Sequence, residues 1–269
     1  MAYEGNDIEY VDIRPNSKSQ IEFYKNAPLN DETLFGGAAG PGKTSCIVAL
    51  PIVHGFHNVS GFRQQIFRET RVQLDEWIIP YQKMIYPLAG GAFNEQKLTW
   101  TFPSGAVVKD CYMEHSGDWT RYASGNNTVQ AFDECTEIHE DNFTVITWNR
   151  SACAIKPFRV YGTNPGGRSH LFFKKNFVDL CPPVKDGLLR WCKPAAMWWQ
   201  PMKAGAPVNV EIVYNGQKRF IKRQFIPARI FDNEDLLKNN PNYLSTLMSL
   251  APDRRRKLLD GDWNLVIGQ

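Results

Sequence analysis

The chain has 269 residues, with 31 Lys plus Arg against 28 Asp plus Glu and 43% hydrophobic residues. That length suits one large α/β domain with a sizeable core, and a net charge of +3 excludes both a polycation and an acidic disordered chain. No apolar run reaches a membrane span, because the longest, Cys46 to Val53, contains Pro51, and the polar, acidic start MAYEGNDIEY does not read as a signal peptide. The six cysteines form no C-x-x-C pair and no zinc-like spacing, so they read as reduced, mostly buried thiols. His54-x-x-His57 lacks a third ligand nearby and reads as a surface pair.

In chain order, residues 1 to about 17 read as an extended arm, and Ser19 to Phe23 as helix. Thr33-Leu34-Phe35 is a short β-type run that leads into Gly36 to Cys46, GGAAGPGKTSC. Within it, Gly37 to Thr44 fits G-x-x-x-x-G-K-[ST] at every fixed position, the pattern of a phosphate-binding loop. Polyphosphate is a dense anion held by a ring of backbone N–H groups, which small side chains leave accessible. Gly37, Ala38, Ala39, Gly40, Pro41 and Gly42 would form that ring, and Ser45 would continue it into a helix whose N-terminal donors face the anion. Lys43 would reach the β/γ-phosphates, and the Thr44 hydroxyl would take one position on Mg²⁺. Pro51 should kink or end the helix.

Gln65 to Arg68 reads as a second strand. A helix follows, with Leu74, Trp77, Ile78, Tyr81, Met84 and Ile85 on one face and a bend at Pro80. Leu98 to Phe102 and Ala106 to Tyr112 flank the turn Pro103-Ser104-Gly105 as a hairpin. Thr128 to Phe132 reads as a strand ending in Asp133-Glu134. Behind a phosphate-binding loop, Asp133 would hold Mg²⁺ through water, and Glu134 would orient or deprotonate the attacking water. Gln130 departs from an all-apolar strand and should face either a polar site or a neighbouring layer. Asp141 to Arg150 reads as helix, Phe158 to Thr163 as a strand, and Ser169 to Phe177 as helix. Residues 181–207 are rich in Pro and Trp and give no clear pattern. Val208 to Tyr214 and Gln217 to Ile221 form a hairpin around Asn215-Gly216, and Gln224 to Arg229 reads as a further strand. Two short helices fill Asp232 to Asp262, with Pro241 and Pro252 near their starts.

Strands alternating with helices after such a loop imply a doubly wound, mainly parallel sheet, where ligands sit at the carboxyl ends of strands. The loop, Asp133-Glu134 and Asn164 each follow a strand and can meet in one crevice. The basic run Arg254 to Lys257 reads as a solvated helix face, and Lys174-Lys175 as a candidate phosphate contact.

Several segments together resemble the ATPase domain of the large terminase subunit, the DNA-packaging motor of tailed double-stranded DNA bacteriophages. They are the Gln20 region, GGAAGPGKT, Phe67-Arg68-Glu69-Thr70, Arg121-Tyr122, and Phe132-Asp133-Glu134. TNPGGRSHLFFKKNFVD from Thr163, FIPARIFDN from Phe225 and LLDGDWN from Leu258 complete the set. The resemblance implies a RecA-like P-loop core over 1–231, with an arm and inserted hairpins, and a small helical lid over 232–269. It implies ATP and Mg²⁺ as cofactors, and hydrolysis that drives double-stranded DNA into a procapsid without sequence preference. It also implies a portal and a small terminase subunit as partners, a homo-oligomeric ring when assembled and a monomer in isolation, and the host cytoplasm as location. Gln20 would read adenine, Asn164 would sense the γ-phosphate, and Arg121 would be the arginine acting on a neighbour's ATP, with Arg68 in reserve. The spacing of Arg121 from the strand that ends in Asp133-Glu134 departs from the family's by one or two residues. Family members continue past GDW into a nuclease domain. This sequence stops at Gln269, so nuclease activity is not carried over. A helicase or other P-loop translocase is the competing enzyme reading, and a non-hydrolysing P-loop binding module the competing non-enzyme one.

Overall fold

The computed structural model of the chain describes residues 13–264. Residues 1–12 of the expected arm and 265–269 of the expected linker lie outside them. Helix α1 spans Lys18–Asn26 and is capped by the Ser17 hydroxyl, which accepts from Gln20 N. Strand β1, Glu32–Gly37, leads into α2, Lys43–Val53. Pro51 lies in the last turn of α2, which ends two residues later. The strands that follow are β2 Arg63–Arg68, β3 Ala92–Asn94, β4 Thr99–Thr101, β5 Val107–Tyr112, β6 Val129–Asp133 and β7 Phe158–Thr163. Residues 181–207 hold four short strands, β8 Val184–Lys185, β9 Arg190–Cys192, β10 Met197–Trp199 and β11 Met202–Lys203, paired as two small antiparallel ribbons. Finally come β12 Val208–Tyr214 and β13 Gln217–Ala228.

Among the described residues, nine of these strands make one sheet in the order β12-β13-β1-β7-β6-β2-β5-β4-β3. The six from β13 to β5 run parallel. Alternation along the strands explains why both faces are covered. Phe35, Ile66, Ala131 and Val160 point to a core shared with α1 and α2, and their neighbours Leu34, Phe67, Phe132 and Tyr161 point to the opposite core. On that second face Phe67, Phe132 and Tyr161 stack across three strands at 4.8 and 5.2 Å between ring centroids. Each such pair contributes about 0.5–1.5 kcal/mol beyond area burial. At the amino end of β1, buried Glu32 accepts from Arg159 of β7 at 2.8 Å and from Arg223 of β13, which ties three strands together.

Four expectations need correction. The helical run 71–85 does not bury one continuous stripe. Ile79 N–H bonds to Leu74 O, five residues back, so the turn before Pro80 is wide. Pro80 has no N–H, and its ring would press on the carbonyl four residues earlier, which the wide turn relieves. The phase shift leaves Trp77 and Met84 61% and 55% exposed, while Ile79 and Gln82 turn inward. Glu140–Trp148 is a run of 3-10 turns, not an α-helix. The hairpin's second arm and the expected strand 224–229 are one strand, β13, because Lys222 and Arg223 stay extended while the partner changes from β12 to β1. The C-terminal region holds three helical segments, Glu234–Asn239, Pro241–Met248 and 252–260. Their apolar side chains join Ile230 and Phe231 in a small core of their own, to which Cys192 and Trp199 of the 181–207 segment also belong.

Candidate active site

Strands β1, β7, β6 and β2 are adjacent and parallel, so their carboxyl ends open on one edge. The loop after β1 passes closest to its neighbours at Gly37 and Gly42. Gly37 has φ +136°, and a Cβ there would lie 2.3 Å from Ala228 O. Gly42 has φ +84°, and a Cβ would lie 2.6 Å from Gln20 Nε2. Only glycine fits either place. No side chain caps the start of α2, so its first N–H groups remain for an anion.

Lys43 is buried in this edge. Its Nζ donates to Ala38 O at 2.7 Å and to Asn164 Oδ1 at 2.8 Å, which spans β1 and β7. Burial lowers its pKa from the ordinary lysine value, and the carboxylates of Glu134 and Asp133 oppose that. Thr44 Oγ1 donates to Asp133 Oδ2 at 2.9 Å. Asp133 is the last residue of β6, and its Oδ1 is buried without a partner. Glu134 follows with φ +48°, in the left-handed region. Non-glycine residues held there cost about 1–3 kcal/mol and concentrate at functional sites. Asn164 Nδ2 donates to Glu134 Oε1 at 3.4 Å, and Thr163 Oγ1 lies 3.4 Å from Oε2. Burial raises the Glu134 pKa, with Asp133 adding to the shift and the Lys43 ammonium opposing it.

Lys43, Thr44, Glu134 and Asn164 line an open cleft of 520 Å³ with Ala39, Gly40, Pro41, Ser45, Asn233 and Tyr243, and buried Asp133 lies behind Thr44. A polar loop, a buried ammonium and two carboxylates around such a cleft can hold a polyphosphate and present a base to it. Thr44 Oγ1 and Asp133 Oδ2 are adjacent hard oxygens, and the unpartnered Asp133 Oδ1 leaves further acceptor capacity. That donor set fits Mg²⁺, which prefers a few carboxylate or hydroxyl ligands plus phosphate and water. Among the described residues no three His, Cys, Asp or Glu side chains cluster around a metal position.

Most of the expected residues converge. Lys43, Asn164 and Glu134 form one hydrogen-bonded set and Thr44 and Asp133 a second beside it. Gln20 adjoins it, but both atoms of its amide are bonded to backbone. Nε2 donates to Pro41 O at 2.9 Å, and Oε1 accepts from Asn16 N at 3.0 Å. Arg121 stands apart. It pairs with Asp118 at 2.9 Å, donates to Tyr112 O at 2.9 Å, and lies 4.9 Å from the Tyr112 ring centre with its side chain 42% exposed. Arg68, the reserve for the trans-acting role, is buried against Asp133 of its own chain. Sequence reasoning missed Asn233, whose Nδ2 donates to Gly40 O at 2.8 Å. Its helix-capping position before Glu234-Asp235 was the available signal. Gln130 bonds to Gln65 Oε1 and Val145 O inside the second core. The cysteines are all free, five of them buried.

No protein-family model matches the chain, and no curated protein sequence does either. Solved structures do. The large terminase of a thermophilic bacteriophage superposes with a TM-score of 0.63 over 93% of this chain, at 14% identity. The same protein in complex with ATP-γ-S gives 0.59 over 92%, at 15% identity. The chain has the fold of a large-terminase ATPase domain. An ATPase-domain mutant from the large terminase of Thermus phage P74-26 matches over 91% of this chain and 92% of its own length, at 10% identity and a TM-score of 0.52. Against the whole terminase of the thermophilic bacteriophage, the chain spans 54% of the length. The terminase ATPase fold accounts for the parallel sheet.

Proposed function

We propose that the chain is a Mg²⁺-dependent ATPase that moves double-stranded DNA, as the engine of phage DNA packaging. The observation that carries this reading is the convergence of Lys43, Thr44, Glu134 and Asn164 on one cleft at the carboxyl ends of β1, β6 and β7, with Asp133 bonded to Thr44 behind it. The terminase ATPase fold supports it, since one structure of the thermophilic bacteriophage's large terminase is a complex with ATP-γ-S.

In this reading the uncapped N–H groups at the start of α2 and Lys43 hold the β- and γ-phosphates, since Ala38 and Ala39 donate theirs to Ala228 O and Leu258 O. Mg²⁺, when bound at Thr44 and Asp133, neutralises phosphate charge. Glu134 takes the proton of the attacking water, and its raised pKa makes it a stronger base once ionised. Asn164 bonds both Lys43 and Glu134, so it links the phosphate-holding group to the base. A cavity of 150 Å³ beside the loop, walled by Tyr24, Tyr81 and Gln20, is the candidate place for the nucleotide base. Portal, small subunit, ring assembly and host cytoplasm belong to the same proposal. Among the described residues no helix is long and apolar enough to cross a membrane.

The test is phosphate release with Mg²⁺ and ATP, with and without linear duplex DNA. Turnover that requires Mg²⁺ and rises with DNA of any sequence supports the motor. ATP binding without turnover would instead support a binding module, and strand separation of a forked duplex would support a helicase.

A further inference from the structure

Arg68 closes β2, and its side chain is 8% exposed. Its Nε donates to Asp133 Oδ2 at 2.9 Å, and Nη2 donates to the same oxygen. Nη2 also lies 3.4 Å from Thr44 Oγ1, which itself donates to Asp133 Oδ2 at 2.9 Å. The three groups form a closed triangle. A cation using Thr44 Oγ1 and Asp133 Oδ2 would have to sit within reach of both, and the guanidinium stands there now. Two positive charges at contact distance repel strongly in a buried site. One carboxylate oxygen therefore serves one of them at a time.

We propose that Arg68 is a positioning residue that stands in for the divalent cation, holding Thr44 and Asp133 in place until Mg²⁺-nucleotide displaces its guanidinium. The physical need is clear. Asp133 is buried and Oδ1 has no partner, so its charge requires compensation at all times. An ordinary structural ion pair would satisfy the carboxylate alone. Here the same guanidinium also reaches the hydroxyl that faces the cation. This inference rests on the nucleotide-site reading above and adds a competitor to it.

A competitor and a prop make opposite predictions. If Arg68 competes with the cation, removing it tightens cation binding. If it only props Asp133, removing it loosens cation binding. Mn²⁺ affinity of the protein–ADP complex, read by electron paramagnetic resonance, separates them. Arg68→Gln should bind Mn²⁺ several-fold more tightly than the parent. Arg68→Lys, which keeps the charge but cannot span both oxygens, should fall between. Equal or weaker Mn²⁺ binding in a variant that still binds ADP overturns the proposal. Should Arg68→Gln not fold, the parent protein serves. Its arginine Nε–H resonances should include one that moves when Mg²⁺ and ADP are added together, and stays put with ADP in EDTA. No metal-dependent resonance overturns the displacement. A parent protein that binds no nucleotide would sink the site reading itself, a distinct result.

Discussion

The Asn233 side chain donates to the backbone carbonyl of Gly40 at 2.8 Å, so the start of the helical C-terminal region grips the loop after β1 from outside. The next carbonyl, Pro41, accepts from Gln20 at 2.9 Å. Asn16 joins the two amides, donating its N–H to Gln20 Oε1 and its Nδ2 to Asn233 Oδ1. These bonds hold the outward carbonyls of Gly40 and Pro41, while Ala38 and Ala39, expected in the anion-binding ring, donate their N–H groups away from it, to Ala228 O at 2.8 Å and Leu258 O at 2.7 Å. Asn233→Ala should weaken ATP and ADP binding alike, by roughly 1–2 kcal/mol for one hydrogen bond and its unpaired partner. Gln20→Ala should do the same to ATP and GTP without changing their ratio. Calorimetric titration of the three nucleotides checks both. A loss confined to ATP would mean that Gln20 reads the base after all.

Lys43 and Glu134 should separate binding from turnover. Lys43→Ala removes the buried ammonium between Ala38 O and Asn164, so nucleotide binding and turnover should both collapse. Glu134→Gln keeps the shape and the Asn164 neighbour but cannot take a proton. It should bind ATP normally and lose about 10²–10⁴-fold in phosphate release. The pH dependence follows from the raised Glu134 pKa. A base acts when ionised, so kcat/KM should rise with pH through a limb lying above the ordinary carboxylate range. A Glu134→Gln variant with parental turnover would remove this residue from the chemistry.

How much of this was legible in the sequence depends on range. The loop and the Asp133-Glu134 pair were readable because their residue types and spacing are local. The doubly wound sheet was readable because strand-like and helix-like runs alternate along the chain after the loop. The Arg68–Asp133 pair was not, since 65 residues separate its members and only the β2–β6 register brings them together. Neither was the phase of the helical run 71–85. Periodicity assumes a uniform turn, and the wide turn before Pro80 breaks it, which put Trp77 and Met84 on the wrong side. The Pro- and Trp-rich segment 181–207 formed short ribbons that draw Cys192 and Trp199 into the C-terminal helical core. Two- and three-residue strands carry too few positions for any period to show.

Arg121 gives a test of action between subunits. Within its own chain it is held by Asp118 and Tyr112 O and makes no bond to Lys43, Asp133 or Glu134 among the described residues. Its exposed ion pair is worth only about 0–1 kcal/mol, so a neighbour's phosphate could draw it away. Under assembling conditions Arg121→Ala and Lys43→Ala subunits should each be nearly inactive alone. Mixing them should restore partial phosphate release, because one supplies the arginine and the other the loop. An assembled Arg121→Ala protein with normal turnover would exclude this role.

Asp110 sets a pH dependence of stability that is separate from catalysis. It lies on β5, buried, with Oδ1 accepting from Gln82 Nε2 at 2.7 Å and Oδ2 without a partner. Gln82 Oε1 in turn accepts from the indole of Trp100 at 2.9 Å. Burial pushes the Asp110 pKa up to about 7, against the Gln82 hydrogen bond and the Arg71 charge, which pull it down. The folded chain therefore keeps a proton that the unfolded chain gives up near the ordinary aspartate value. The folded state binds more protons between those limits, so stability falls as pH rises from about 4 to about 7. Each pH unit crossed between those limits costs about 1.4 kcal/mol, which places the total loss at a few kcal/mol. Asp110→Asn keeps the oxygen that accepts from Gln82 and has no proton to lose. Its urea midpoint should change less with pH than the parent's over this window, and the variant should be the more stable of the two at pH 8. Parallel pH curves for the two proteins would mean that Asp110 titrates as an ordinary carboxylate and that its burial is relieved in solution.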